Sequence, residues 1–98
     1  MELENCRSEI NEIDAQIVKL LNQRAETVME IGRLKIKAGL PIIDSDRENQ
    51  ILRRVCRESR GAFEDDSIVK IYRLIIQESR QLQVKAMEKM LEKGAEIY

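Results

Sequence analysis

Two basic residues, Arg24 and Lys35, lie in the middle of an apolar helical stripe that should be buried. On a helical wheel with Ile10 at zero, the stripe is centred near about −30°, Arg24 falls at about −40° and Lys35 at about −20°. A buried cation without a partner is costly, so each requires a structural carboxylate or an anionic ligand. The two are about 16 Å apart along the axis, and a small dianion between their side chains can contact both. Alternatively, each side chain extends to the edge of the stripe or pairs with an acid on another helix.

Four further polar residues fall on inward helix faces. Arg47 and Glu48 begin two inward rows of a second helix, and Ser79 and Gln83 interrupt the apolar row of a third. Each has an ordinary explanation, such as a first-turn carboxylate, a solvated arginine or a hydrogen bond to the backbone. Together they form a mostly cationic set with amide and hydroxyl donors and one carboxylate acceptor. This set predicts a ligand with more than one carboxylate and a hydroxyl group.

The residue types also restrict the chemistry. The sequence has no histidine, which removes the usual general base and the commonest metal ligand. Its two cysteines, Cys6 and Cys56, lack metal-ligand spacing, and Cys56 is expected to be a small core residue. We therefore expect no metal and no cofactor, and an enzyme that works by binding and electrostatics rather than by proton transfer.

Length and composition predict one all-helical domain, residues 1–98. Charged residues make up 36% and hydrophobic residues 43% of the 98 residues, which is typical of a helical bundle. The net charge of −1 gives no reason to expect a nucleic-acid partner. No apolar stretch approaches the length of a membrane span, and the acidic N-terminus does not resemble a signal peptide. A cytoplasmic location is therefore expected.

The apolar periodicity and the helix start and stop signals predict three helices that position these side chains, over about 3–38, 45–59 and 65–93. Gly39 and Pro41 end the first helix. Asp44 or Ser45 caps the second, and Ser45-x-x-Glu48 fits a capping box. Residues 94–98 are expected to form a frayed tail.

The first helix is too long for a compact chain of this size. A helix of 35 residues is about 52 Å long, whereas such a monomer is about 30 to 35 Å across. Its apolar stripe would then need a second chain, which favours an intertwined, two-fold symmetric homodimer. Arg7 points about 100° away from Arg24, so it is either a surface charge or part of another pocket, such as one in a partner subunit. Gly32 is expected to mark a close approach of another backbone or a ligand.

The spacing of these residues resembles the all-helical chorismate mutase family, which has three helices per chain and an intertwined dimer. The resemblance covers roughly residues 3 to 84 and is carried by five segments: Arg7-x-x-Ile10-x-x-Ile13-Asp14, Leu20-Leu21-x-x-Arg24, Ile31-Gly32-x-x-Lys35, Pro41-Ile42-x-Asp44-x-x-Arg47-Glu48 and Ile75-Ile76-x-Glu78-Ser79-x-x-x-Gln83.

The resemblance implies conversion of chorismate to prephenate in aromatic amino acid biosynthesis. It implies that Arg24 binds one substrate carboxylate and that Arg7, from the other subunit, binds the second. Lys35 and Gln83 would donate to the ether oxygen, and Glu48 would accept from the ring hydroxyl. The remaining residues would line the pocket and position the substrate: Asp44, Arg47 and Ser79.

Two alternatives stay open at this point. Some relatives eliminate pyruvate from isochorismate with the same arginines and lysine. The other alternative is a non-catalytic helical dimerisation module, in which the buried charges set the register of the helices.

Overall fold

Three helices make up the fold in a computed structural model that describes residues 1–97, with side chains described through residue 93. They are α1 (Glu2–Ala38), α2 (Ser45–Glu58) and α3 (Asp65–Ile97). No strand occurs in this described part of the chain. The predicted order of a long, a short and a long helix is confirmed. No helix within residues 1–97 combines the length and the apolar character that crossing a membrane requires.

The C-terminal end of α3 differs from the sequence prediction. The helix is assigned through Ile97, beyond the predicted end near residue 93, and the expected fraying of the segment after residue 93 stays a prediction. A single glycine in a helix costs only about 1 kcal/mol. Gly94 is followed by Ala95 and Glu96, which favour helix, and by no proline. Tyr98 lies outside the described residues.

The connection between α1 and α2 is fixed at both ends by helix caps. Gly39 takes the left-handed conformation, with φ 68°, and its N–H donates to the carbonyl oxygen of Ile36. At the start of α2, the carboxylate of Asp44 accepts a hydrogen bond from the backbone N–H of Arg47 at 3.0 Å. Asp44 is therefore the cap. The alternative capping box is wrong, because Ser45 is already helical and the Glu48 carboxylate bonds to α3 instead.

α3 packs against both other helices. Hydrogen bonds pair Arg24 with Ser79 and Lys35 with Gln83, so α1 and α3 run parallel at this contact. The helices are in close contact at Gly32, where an added Cβ would lie 3.2 Å from Cγ and 3.3 Å from Cα of Gln83. The close approach expected at Gly32 is therefore an approach to α3, and it sets the distance between the two helices beside the cationic residues.

Much of the predicted apolar stripe of α1 is uncovered in the single chain. Residues 2–23 are all exposed, including Ile10 at 55% and Leu20 at 62% of their full exposure. This exposure agrees with the expectation that the first helix is too long for one chain to cover, since the partly buried and buried residues of α1 begin only at Arg24. The molecule measures 64 × 28 × 14 Å, with a radius of gyration of 17.6 Å, against about 13 Å for a compact chain of this length.

Candidate active site

A cavity of about 240 Å³ lies where the three helices meet. Apolar side chains form part of its wall, among them Val28, Ile51 and Ile76. Seven of the eight residues that the sequence predicted for the site line the cavity: Arg24, Lys35, Asp44, Arg47, Glu48, Ser79 and Gln83.

Arg24 is held in place by Ser79. Its Nη1 atom donates to Ser79 Oγ at 2.6 Å, and Ser79 Oγ donates to the carbonyl oxygen of Ile75 at 2.7 Å. The hydroxyl therefore uses its proton on the backbone of α3 and presents a lone pair to the guanidinium. Ser79 thus fixes the position of Arg24 without neutralising its charge.

Lys35 connects α1 to the loop before α2 and to α3. Its ammonium donates to the carbonyl oxygen of Ile42 at 2.8 Å and to Oε1 of Gln83 at 3.3 Å. An ammonium has three N–H donors, so one remains for a ligand. Gln83 is buried, at 8% exposure, and its acceptor oxygen is engaged by Lys35. The donor end of its amide, the Nε2 group, is therefore the end that can serve a ligand.

Neither Arg24 nor Lys35 has a carboxylate partner among residues 1–93. The ion pairs in this part of the chain join Arg33 to Glu30, Arg54 to Glu58 and Arg80 to Glu48. The sequence analysis offered structural carboxylates or an anionic ligand as partners of the inward cations. Structural carboxylates do not fill this role in the described part of the chain. Two partly buried cations at one cavity form a site for an anionic ligand.

Glu48 is paired with a residue that the sequence analysis missed. Arg80 Nε donates to Glu48 Oε2 at 2.7 Å, and Arg80 Nη2 donates to Oε1. This hydrogen bond raises the pKa of Arg80 further above its ordinary value, so the guanidinium stays charged. Arg80 also lines the cavity. Helical spacing could have identified it, because it follows Ile76 by four residues and precedes Gln83 by three on the inward face.

Asp44 is the N-cap of α2, and Arg47 lies in its first turn. Asp44 combines its capping bond with a place in the cavity wall, and Arg47 is an exposed residue at the rim. With these two, the cavity has four cationic residues (Arg24, Lys35, Arg47, Arg80) and two carboxylates (Asp44, Glu48). The difference, 4 − 2, is an excess of two positive charges, which matches a dianion.

Arg7 is the one predicted site residue that does not line the cavity. It is exposed and precedes Arg24 by seventeen residues on the same helix, a separation of about 25 Å along the axis. Its side chain cannot contact a small ligand beside Arg24 of the same chain.

Comparison with known proteins identifies the family of this chain. The family model described as "Chorismate mutase type II" matches residues 6–84. A bifunctional chorismate mutase/prephenate dehydratase of Aquifex aeolicus is 40% identical over 88 residues, covering 86% of this chain and 24% of that protein. A chorismate mutase of Methanocaldococcus jannaschii is 31% identical over 96 residues, which is 94% of each chain. This chain thus spans about a quarter of the length of the bifunctional relatives and nearly all of the archaeal one.

A solved structure shares the fold as well as the sequence. The chorismate mutase of Helicobacter pylori, determined in complex with prephenate, superposes with a TM-score of 0.80 at 30% identity, covering 88% of this chain and 93% of that one. The family match extends from Cys6 to Val84 and includes all eight predicted site residues. This chain belongs to the type II chorismate mutase family.

Proposed function

We propose that this chain catalyses the rearrangement of chorismate to prephenate. The observation that carries the proposal is the pair of cations, Arg24 and Lys35, that line one cavity with Gln83 and have no carboxylate partner in the described chain. Chorismate is a flexible dicarboxylate with a ring hydroxyl and an ether oxygen, and this set of donors and acceptors is complementary to it.

The reaction places two demands on the protein. It is a concerted intramolecular rearrangement, so it requires no nucleophile and no general base. The site must hold the dicarboxylate in its compact reactive shape, which lowers the entropic part of the barrier. It must also stabilise the negative charge that develops on the ether oxygen as the C–O bond breaks.

The geometry supports the role that the family resemblance implies for each residue of the cavity. Arg24, held by Ser79, binds one carboxylate. The free N–H of Lys35 and the amide Nε2 of Gln83 donate to the ether oxygen, and their mutual hydrogen bond keeps the two donors adjacent. Glu48 accepts from the ring hydroxyl, and two residues at the start of α2, Asp44 and Arg47, position the substrate. The prephenate bound to the Helicobacter pylori neighbour supports the same ligand class here.

The direct test is loss of chorismate absorbance on addition of the purified protein, with prephenate identified by its acid conversion to phenylpyruvate. Prephenate formation supports the proposal. A folded protein without turnover contradicts it, and isochorismate with detection of pyruvate is then the next assay. Failure of both assays would leave the non-catalytic dimerisation module.

We further propose that the active form is a homodimer in which Arg7 completes the site of the other subunit. Two features support this. Arg7 lies about 25 Å along α1 from Arg24, and the uncovered apolar residues of α1 extend through the same segment, from Leu3 at 58% to Leu21 at 41% exposure. Continuing the uncovered face, an apolar groove between α1 and α3 is lined by Ile17, Leu74 and Leu82.

Mixed dimers provide a sharp test. A site built from Lys35 of one chain and Arg7 of the other is intact in a heterodimer of Arg7→Ala and Lys35→Ala chains, whose second site carries both changes. Equal amounts of the two variants, unfolded and refolded together, should give half heterodimers and recover about a quarter of wild-type activity. Sites built from one chain would recover nothing beyond the sum of the two variants refolded separately.

A further inference from the structure

We propose that Arg80 is a positioning residue for this reaction. It orients the Glu48 carboxylate and offsets its charge, so that Glu48 can contact a doubly negative substrate. The inference rests on the proposed function and adds a residue to it. Arg80 lies on α3 directly after Ser79, which holds Arg24, and three residues before Gln83. It therefore reaches the cavity from the helix that carries the other positioning contacts.

The contact between Arg80 and Glu48 is bidentate. Nε and Nη2 of the guanidinium donate to the two carboxylate oxygens, with Nε 2.7 Å from Oε2. A bidentate pair fixes the plane of the carboxylate as well as its position. Each oxygen retains a lone pair that can accept from a substrate hydroxyl. Glu48 is thereby presented as an oriented acceptor rather than as a freely rotating side chain.

The ion pair with Arg80 also reduces the repulsion between the Glu48 carboxylate and the substrate. A lone carboxylate in a cavity for a dianion would repel its ligand, since like charges close together disfavour each other more strongly where water is scarce. The Glu48 side chain is 19% exposed and that of Arg80 is 42% exposed. Arg80 offsets the charge of Glu48 from its own side of the cavity, which leaves Arg24 and Lys35 available to the substrate.

A purely structural role is the competing explanation, because the same ion pair joins α2 to α3. The two explanations differ in what happens when Glu48 has no charge. If Arg80 is a positioning residue, its replacement affects catalysis much less in a Glu48→Gln background. If its role is only structural, its replacement lowers stability, and any effect on KM does not depend on the charge of residue 48.

The experiment is a double-mutant cycle on chorismate turnover with wild type, Arg80→Ala, Glu48→Gln and the double variant. Arg54→Ala is the matched control, because it removes an arginine whose ion pair with Glu58 lies outside the cavity. We expect Arg80→Ala to raise KM about tenfold and lower kcat severalfold, and Arg80→Lys to recover part of KM. Against Glu48→Gln, the further change to Arg80→Ala should alter kcat/KM by less than about twofold.

The outcomes separate this inference from the proposed function. A wild-type protein without chorismate turnover overturns the proposed function and this inference with it. An active wild type with kinetic constants unchanged in Arg80→Ala, or lowered equally in both backgrounds, overturns this inference alone. Circular dichroism and thermal melting of each variant identify any loss that comes from unfolding, and Arg80→Lys then supplies the kinetic comparison if Arg80→Ala does not fold.

Discussion

Replacement of Lys35 by alanine tests the mechanism most directly, because Lys35 acts on the proposed site in two ways. Its ammonium supplies one donor for the ether oxygen. It also holds Oε1 of Gln83 at 3.3 Å, so its removal leaves the second donor free to rotate. The substitution therefore weakens both donors that would stabilise the developing negative charge.

The expected magnitude follows from these two losses. Removal of one preorganised donor to a developing oxyanion costs about 10²–10³ in kcat, or about 3–4 kcal/mol. Loss of the constraint on Gln83 adds about 1 kcal/mol, the usual net value of a hydrogen bond. We therefore expect kcat/KM to fall by roughly 10³-fold or more, since each 1.4 kcal/mol is about tenfold in rate.

Folding should change much less. Lys35→Ala loses the bond to the Ile42 carbonyl oxygen, 2.8 Å long, but also removes a partly buried cation that has no carboxylate partner within residues 1–93. These two effects oppose each other, so the free energy of unfolding should change by about 1 kcal/mol or less, equivalent to a melting shift of about 4–8 °C at most.

The assay is chorismate consumption at saturating and limiting substrate, beside a thermal melt of each protein. Lys37→Ala is the control, because Lys37 is exposed in the same last turn of α1 and does not line the cavity. It should keep wild-type kinetics. A folded Lys35→Ala protein with turnover within tenfold of wild type would refute the assignment of Lys35 and the reasoning that links it to Gln83.

Three further substitutions test other parts of the site. Gly32→Ala gains about 1 kcal/mol of helix propensity but places a methyl 3.2–3.3 Å from three Gln83 atoms. The value of kcat should therefore fall severalfold while the melting temperature changes little. An unchanged kcat would contradict the importance of this contact. Gln83→Glu donates only when protonated, so its activity should fall as pH rises above about 4–5, whereas wild type should lack this dependence; parallel pH–rate profiles would count against Gln83 as a donor. Asp44→Ala should lose about 1 kcal/mol of stability in denaturant unfolding through loss of the helix cap, whereas Asp44→Asn should retain it, and equal losses in both would contradict the capping role.

The fold was largely predictable because strong local signals agree with one another. The apolar period of α1 and the glycine–proline stop after it place the first helix to within one residue of the observed Glu2–Ala38. The end of α3 was not predictable in this way, because Gly94 is permitted both in a helix and after one. The exposure of the α1 stripe in one chain was predictable from the length of the helix, although a periodic pattern does not identify the molecule that covers a face.

The candidate site was predictable to the extent that its residues interrupt apolar rows. Arg24, Lys35, Ser79 and Gln83 do so, and all four line the cavity. Arg80 escaped notice because it stands next to Ser79 on an amphipathic helix, where an arginine at the edge of the inward face is commonly a solvated charge. Its partner lies 32 residues earlier on another helix, and sequence spacing carries no information about a pair across that distance.

The contact between Gly32 and Gln83 has a consequence for how this sequence can change over time. At this contact the distance from the Lys35 helix to the Gln83 helix is limited by a glycine against the backbone and first side-chain carbons of its neighbour. Substitutions among the partly buried isoleucines and leucines should therefore lower stability well before they disturb the placement of the two donors. Proteins that keep Gly32 can accept many substitutions of interior residues and retain the geometry on which turnover depends.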